Sequence, residues 1–336
     1  MSVRSRFSES FLKDILGKFN EDNKNIEYAV SPMCVGENFA SDLWKISVKY
    51  KSFCETDEEK FFVLKCFSEN DVSSEYAKLT NIFDTEIDIY SRVLPKIYSL
   101  EYVKKFTAPT LYASLTPQPI IIMEDLTKQG YQMQCRHKGL DLNHSLLVIE
   151  KLAYLHASSI AISKKESLSN FDRGLFWPSA YTTKWFIIGF EMLIKTCEKL
   201  NNLNRYAEKL DSIKNDFFVN STKAFGKTTL CKVLNHGDCW VNNFMFLYND
   251  DGTLKDVTFI DFQQSLYASQ VFDLHFFWAT SPNLDVLVNH WKTILDCYCN
   301  EFFKIAKKLN IADDIPSKAE IESEFRQKAF YGLMAY

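Results

Sequence analysis

The chain has 336 residues, and its 39 lysines and arginines against 43 aspartates and glutamates give a formal net charge of −4. This slightly acidic balance, with no basic block, argues against nucleic acid as a main partner. A hydrophobic share of 46% with 24% charged residues is typical of a globular protein and excludes a wholly disordered chain. No segment approaches the roughly 18 consecutive apolar residues of a membrane span, and residues 1–19 lack the continuous apolar core of a secretion signal.

Cysteine usage agrees with these exclusions. The nine cysteines are an odd number and include no Cys-x-x-Cys pair, so neither a secreted disulfide framework nor a zinc site is indicated. We therefore expect a soluble, cytoplasmic protein with no membrane partner. No heptad pattern stands out along the chain, so a monomer is the expected state.

The first third of the chain is predicted to form a small sheet with one inserted helix. An opening helix covers about residues 7–20, and a second helix, with a serine cap at Ser74, extends to Pro95, which is expected to end it. Short apolar runs of strand length predict the strands Tyr28–Met33, Leu43–Tyr50, Lys60–Phe67, Leu111–Leu115 and Ile120–Glu124.

After residue 126 the pattern becomes mainly helical. Helical periodicity covers residues 143–162, 181–201, 203–222 and 284 to the end. Two further strands, Asn243–Asn249 and Val257–Phe262, are joined through Asp-Asp-Gly, which is typical of a hairpin turn.

The sequence thus predicts an α+β protein with two domains. Residues 1–126 would form a small antiparallel sheet with one helix, and residues 127–336 a larger, mainly helical domain that carries the hairpin. The helical pattern of the final residues continues to the end of the chain with no clear stop signal, so we expect the helical domain to be truncated at its C-terminus.

Three polar side chains around the hairpin point to chemistry. Asp238 and Asn243 lie five residues apart in a loop before the first hairpin strand, and Asp261 lies at the end of the second. Because a hairpin places its strands side by side, Asn243 and Asp261 are expected to lie close together. A carboxylate that accepts a proton, with an amide and a second carboxylate that hold Mg²⁺, is what phosphoryl transfer from ATP requires. The alternative is a hairpin whose polar residues only cap turns.

Lys65 supplies an independent observation. It lies in an apolar strand, where a lysine needs a partner, and the following helix offers Glu86. A strand lysine paired with a helix glutamate is the arrangement by which kinases hold the α- and β-phosphates. The alternative is a solubilising charge on an edge strand and a solvated helix residue.

Several motifs together resemble the ecdysteroid kinase-like family, within the aminoglycoside phosphotransferase and choline kinase group. They are GENFAS at 36–41, FDTEIDIYSRVLP at 83–95, IMEDL at 122–126, LAYLHASS at 152–159, HGDCWVNN at 236–243 and IDFQ at 260–263. The resemblance implies a bilobal protein-kinase-like fold. It also implies ATP- and Mg²⁺-dependent phosphorylation of a hydroxyl group on a small molecule, most typically an ecdysteroid.

The resemblance also implies roles for individual residues. Asp238 would be the catalytic base, with Asn243 and Asp261 as Mg²⁺ ligands. Lys65 would hold the phosphates of ATP and Glu86 would orient it. The remaining nucleotide contacts would come from a phosphate loop and a hinge, at Gly36, Asn38, Ser41, Glu124 and Leu126. Asp273 would brace the catalytic loop.

Two histidines are expected to support the structure rather than to react. His236 would hold its own loop, because Asp238 already fills the role of the base, and His156 would be a packing residue on an apolar helix face. The phosphate loop has a single glycine, so it is no Gly-x-Gly-x-x-Gly and is weak by itself.

Alternative functions remain open at this stage. A choline, ethanolamine or xenobiotic-alcohol kinase would fit the same motifs. A non-catalytic ligand-binding relative would typically have lost one of the Lys, Asp, Asn and Asp residues, all of which are present. A protein kinase is disfavoured, because Asp261 is followed by Phe-Gln instead of Phe-Gly and there is no Ala-Pro-Glu.

Overall fold

In the computed structural model the chain folds into two units. One comprises Met1–Gln134 with Asn242–Gln263, and the other Cys135–Val241 with Gln264–Tyr336. The structure describes residues 7–19, 26–33, 41–51, 54, 56–67, 80–176, 179–200, 202–225 and 230–335. The predicted phosphate-loop residues Gly36 and Asn38 lie outside these ranges, as does the start of the helix predicted from Ser74.

The first unit is built on an antiparallel sheet. Its elements are α1 (Glu9–Leu16), β1 (Ile26–Pro32), β2 (Ser41–Lys51), β3 (Asp57–Phe67), α2 (Ile82–Asp88), α3 (Leu94–Tyr98), β4 (Thr110–Ser114), β5 (Ile120–Glu124), β6 (Gln132–Met133), β8 (Phe244–Tyr248) and β9 (Leu254–Phe259). Strands β1 to β5 form one sheet in the order β1-β2-β3-β5-β4, and β6, β8 and β9 form a second. The apolar side of α1 packs on the first sheet, where Leu12 and Leu16 belong to the same buried cluster as Val48 and Leu64.

The hairpin β8–β9 belongs to this first unit. Its second strand is tied to the segment before β4 by a hydrogen bond from Phe259 N to Phe106 O at 2.7 Å. The division predicted at residue 126 assigned the hairpin to the helical domain instead. The structural units differ because contacts made over long sequence separations join residues 242–263 to the N-terminal part.

The helix predicted to end at Pro95 continues through it. A π-helical turn, Ile89–Val93, joins α2 to α3, and Pro95 lies in the first turn of α3. The prediction of a break there is wrong: a π-helical turn directly precedes the proline, which has no N–H to donate, and the chain stays helical across it. The hydroxyl of Ser91 donates to the Ile87 carbonyl at 2.6 Å within this irregular stretch.

The second unit is mainly helical. Its elements are α4 (Leu142–Ser163), α5 (Ala180–Lys199), α6 (Asn204–Phe225), β7 (Lys232–Asn235), β10 (Leu266–Ser269), α7 (Val271–Thr280), α8 (Leu284–Asn289), α9 (Trp291–Lys308), α10 (Lys318–Gln327) and α11 (Phe330–Ala335). Helix α4 packs on α9, α5 on α6, and α7 on α11, while β7 pairs with β10. Sequence cues set several helix starts: Asp141 caps α4, and Ser317 with Glu320 forms a capping box on α10.

Together these features confirm the predicted α+β class, with an antiparallel N-terminal sheet that carries a helix and a mainly helical C-terminal part. Among the described residues, α4 is the one helix long and apolar enough to cross a membrane. However, 78% of its most apolar window is buried in the protein, as in the core helix of a globular fold.

Candidate active site

Three ionisable side chains from separate elements of the first unit meet in one place. The Lys65 ammonium lies 2.7 Å from Glu86 Oε2 and 2.8 Å from Asp261 Oδ1. The side chains of Lys65 and Glu86 are 6% and 1% exposed, whereas that of Asp261 is 25% exposed. We call these three residues the charge triad. It has one solvent-facing member, and that member is the carboxylate predicted to hold metal.

The fold explains why these residues meet. Lys65 lies on β3, an interior strand, opposite Leu43 of β2 and Ile121 of β5. Glu86 comes from α2, and Asp261 follows the end of β9. The predicted pairing of Lys65 with Glu86 is thus present, and the reading of Lys65 as an edge-strand charge is wrong because β5 covers that side of β3.

Electrostatics couple the members of the triad. Burial disfavours the charged form of Lys65, but the carboxylates of Asp261 and Glu86 outweigh it and raise the pKa of the ammonium group above its ordinary value. Burial also raises the pKa of the Glu86 carboxyl, and the neighbouring Lys65 opposes that shift. Lys65 therefore remains a cation, available to an anionic ligand.

Asp261 is held in an unusual backbone conformation. Its φ of 66° is left-handed, which costs on the order of 1 kcal/mol or more in a residue other than glycine. The next residue, Phe262, is fully buried and meets the Tyr90 ring edge to face at 5.9 Å. Tyr90 lies in the π-helical turn, and such turns are frequent at functional sites. The α2–α3 segment thus contacts both the triad and the residue that follows Asp261.

Asn243 lies against Ile260, the residue before Asp261, on the neighbouring arm of the hairpin. It ends a short 3₁₀ turn, Val241–Asn243, and its carbonyl accepts a hydrogen bond from Ile260 N at 3.1 Å. Asp261 itself lies two residues beyond the end of β9, outside the strand in which the sequence placed it. One carboxylate and one amide suit Mg²⁺, which is usually held by one or two carboxylates together with substrate phosphates and water. The donor set of Asn243 and Asp261 therefore fits this ion.

The described residues of the predicted phosphate loop and hinge lie at strand ends. Ser41 is buried as the first residue of β2, opposite Phe67. Glu124 ends β5 and Leu126 opens the next 3₁₀ turn. The Glu124 amide donates to Pro109 O at 2.9 Å, so contact with a base at this residue would have to use its carbonyl.

In the second unit, the loop that carries Asp238 is held in place through hydrogen bonds from its own backbone amides. The Asp273 carboxylate, on α7, accepts hydrogen bonds from His236 N at 2.7 Å and Gly237 N at 2.9 Å. Asp238 N donates in turn to the His236 ring at 3.3 Å. The expected bracing by Asp273 is therefore confirmed, and His236 supports its own loop as predicted.

Gly237 shows why this loop has its sequence. Its φ is 83°, and a Cβ at this position would lie 1.9 Å from the Gln264 carbonyl oxygen. Only glycine allows the loop to pass so close to the chain that leads into β10.

Two supporting residues escaped the sequence analysis. Asn235 Oδ1 accepts from Asp273 N at 3.2 Å, and Ser159 on α4 accepts from Leu234 N at 2.8 Å. Their polar side chains lie in apolar segments next to the predicted catalytic loop. Because a buried polar group needs a hydrogen-bond partner, this position could have indicated a supporting role.

Comparison with known proteins now decides the family. The model of the ecdysteroid kinase-like family matches residues 35–311. The chain belongs to the ecdysteroid kinase-like family. This confirms the resemblance drawn from the motifs, and the matched range contains the charge triad, Asn243, Asp238 and Asp273.

This ecdysteroid kinase-like protein was also compared with curated proteins and with solved structures. The search among curated proteins finds no match. Among solved structures, an aminoglycoside phosphotransferase, APH(2″)-IIIa in complex with GDP and kanamycin, aligns over 96% of this chain and 95% of its own. Its identity of 13% and TM-score of 0.42 are too low to support any argument about this ecdysteroid kinase-like protein.

Proposed function

We propose that this protein is an ATP- and Mg²⁺-dependent kinase that phosphorylates the hydroxyl group of a small molecule, an ecdysteroid or a related apolar alcohol. The observation that carries the proposal is the charge triad, in which a buried lysine is paired with a helix glutamate and with a partly exposed aspartate. Membership of the ecdysteroid kinase-like family supports the same class of reaction.

In this proposal the first unit binds the nucleotide. Lys65 would meet oxygens of the α- and β-phosphates, and Glu86 would keep its ammonium group oriented. Asn243 and Asp261 would hold Mg²⁺, which, when bound, would neutralise charge on the phosphates. Ser41 and the predicted loop residues Gly36 and Asn38 would contact the phosphates, and backbone groups of Glu124 and Leu126 the adenine.

Asp238 would serve as the base. Its carboxylate would take the proton of the acceptor hydroxyl as that oxygen bonds to the γ-phosphorus, and the bond from this phosphorus to the bridging oxygen would break to release ADP. A positioned base contributes about 10²–10⁴-fold, so positioning and charge neutralisation would supply most of the acceleration.

The cellular compartment that we propose for this reaction is based on the cysteines. All cysteines among the described residues are free thiols, as suits a reducing cytoplasm. We propose a monomer whose partner is its small-molecule substrate, with neither nucleic acid nor membrane required.

A non-catalytic relative is the second candidate. The loss of one residue of the kinase motifs would favour this alternative. All four are present in the sequence: Lys65, Asp238, Asn243 and Asp261. A choline or ethanolamine kinase would need clustered carboxylates or an aromatic cage around the quaternary or primary amine.

The direct test is a search for phosphorylated products by mass spectrometry. Wild type and Asp238→Asn would each receive Mg-ATP and a panel of ecdysteroids, choline, ethanolamine and plant phenolic alcohols. We expect one class of alcohol to gain about 80 Da in the wild-type reaction only, the mass of HPO₃ added in a phosphoryl transfer.

Two outcomes would count against the proposal. Equal product with Asp238→Asn would remove Asp238 as the base. Wild type that neither binds Mg-ATP nor phosphorylates any member of the panel would favour the non-catalytic relative.

A further inference from the structure

A chain of buried polar side chains extends from the catalytic loop to helix α9. The Asp273 carboxylate that braces the loop also contacts His156 Nε2, from Oδ2 at 3.1 Å. On the other side of the imidazole, His156 Nδ1 lies 2.8 Å from the hydroxyl of Tyr298 on α9. Tyr298, His156 and Asp273 are each no more than 1% exposed. Water therefore does not compete for these contacts.

The chemistry of the three groups fixes where the protons lie. The Asp273 carboxylate accepts hydrogen bonds from two backbone amides, so Nε2 of His156 must carry a hydrogen to make a favourable contact with it. In a neutral imidazole the other nitrogen, Nδ1, is then an acceptor. The phenol of Tyr298 is the donor that this nitrogen needs, and burial raises its pKa far above the ordinary value, so it keeps its proton.

We propose that Tyr298 is a positioning residue of the catalytic loop: its hydroxyl selects the Nε2–H tautomer of His156, and thereby keeps His156 donating to the carboxylate that holds the backbone at His236 and Gly237. The inference rests on the proposed function only in taking Asp238, the next residue, as the catalytic base. The hydrogen-bond chain is independent of which alcohol is the substrate.

The surroundings of Tyr298 keep its hydroxyl aimed at His156. Its ring stacks on Phe302 at 5.4 Å between centroids and meets the imidazole edge to face at 5.7 Å. Helices α4 and α9, which carry His156 and Tyr298, pack against each other. Tyr298→Phe therefore removes one oxygen while the ring contacts remain.

A matched control lies in the first unit. The hydroxyl of Tyr98 is partly buried and hydrogen-bonded: it contacts Thr107 Oγ1 at 2.7 Å and accepts from Phe106 N at 3.3 Å. Tyr98→Phe loses a hydrogen-bonded tyrosine hydroxyl but touches neither His156 nor Asp273. It therefore separates a general loss of stability from an effect on the loop.

The experiment combines hydrogen exchange with NMR of the six histidine rings. Exchange would be followed by mass spectrometry on peptides that cover residues 234–240, and the tautomer of His156 would be read from its ¹⁵N shifts. In wild type we expect the Nε2–H form. In Tyr298→Phe we expect a mixed tautomer pattern and about tenfold faster exchange at the His236 and Gly237 amides, as for loss of one supporting hydrogen bond. Tyr98→Phe should leave both readings unchanged.

Three results would overturn the inference. One is an Nδ1–H tautomer in wild type, which needs no variant to observe. Another is unchanged exchange and unchanged ¹⁵N shifts in Tyr298→Phe, and the third is equal acceleration at residues 236 and 237 in Tyr98→Phe. A wild-type protein that binds no Mg-ATP would count against the proposed function alone, because neither reading requires nucleotide.

Discussion

The two units hold their candidate functional residues by different means. In the first, the candidate side chains hold one another: Lys65 is fixed by Glu86 and Asp261, and all three carry or can carry charge. In the second, the chain around Asp238 is held through its backbone, by the carboxylate of Asp273. We therefore expect that removing a charge from the triad lowers the free energy of unfolding most in the first unit. In the second unit, the largest loss should come from altering the backbone of the loop.

The largest effect is expected at Lys65. Lys65→Met leaves the carboxylates of Glu86 and Asp261 without their shared cation, which should lower the free energy of unfolding by about 3–5 kcal/mol. Lys45→Met, on the exposed side of β2, is the control and should change it by less than about 0.5 kcal/mol. Urea denaturation measures both, and equal stability of the two variants would show that the triad is not an energetic unit.

The second unit is tested by a pair of glycines. Gly237 and Gly252 have φ angles of 83° and 80°, but only at Gly237 would a Cβ collide with backbone. Gly237→Ala should destabilise the protein by about 2–4 kcal/mol, from overlap added to backbone strain, and Gly252→Ala by about 1 kcal/mol from strain alone.

Thermal or chemical denaturation of both variants gives the comparison between these glycines. If the two variants lose the same free energy of unfolding, the close approach of the loop to Gln264 does not constrain the fold.

The smallest effect concerns pH and His275. This histidine is buried, stacks on Phe325 at 3.9 Å and donates from Nε2 to the Phe325 carbonyl at 2.7 Å. Burial lowers its pKa from 6.5 to about 4. Because the unfolded chain then binds more protons between these values, the contribution of His275 to stability is present above pH 6.5 and is lost as the pH falls toward 4.

The matching variant is His275→Gln, which keeps a donor but cannot titrate. Between pH 7 and pH 4.5 wild type should lose on the order of 2 kcal/mol more unfolding free energy than this variant. Parallel pH profiles for the two proteins would contradict the assignment of a neutral, buried His275.

Much of the first site was predictable because its residues conflict with their local sequence. A lysine in an apolar strand needs a partner, and the Asp-Asp-Gly turn brings Asn243 and Asp261 together whatever the rest of the fold does. The bracing role of Asp273 was assigned through the family motifs. The contact of its carboxylate with the backbone of His236 and Gly237, over 30 residues away in sequence, follows from tertiary packing and has no local pattern.

Other features of the fold have no recognisable pattern in the sequence. The π-helical turn at Ile89–Val93 is a backbone irregularity with no characteristic residues, which is why Pro95 was misread as a break. Strands β7 and β10 have four residues each and pair across a long separation, so periodicity cannot reveal them. The partnership of Tyr298 with His156 joins two helix faces that look like ordinary core.

The central claim is that the charge triad with Asn243 forms a Mg-nucleotide site. Isothermal titration of ATP into wild type and Asp261→Asn, each with Mg²⁺ and with EDTA, tests it most directly. Wild type should bind ATP and lose most of its affinity in EDTA, while Asp261→Asn should bind weakly and equally in both. Wild type that binds no ATP, or an Asp261→Asn variant with the full Mg²⁺ dependence of wild type, would contradict it.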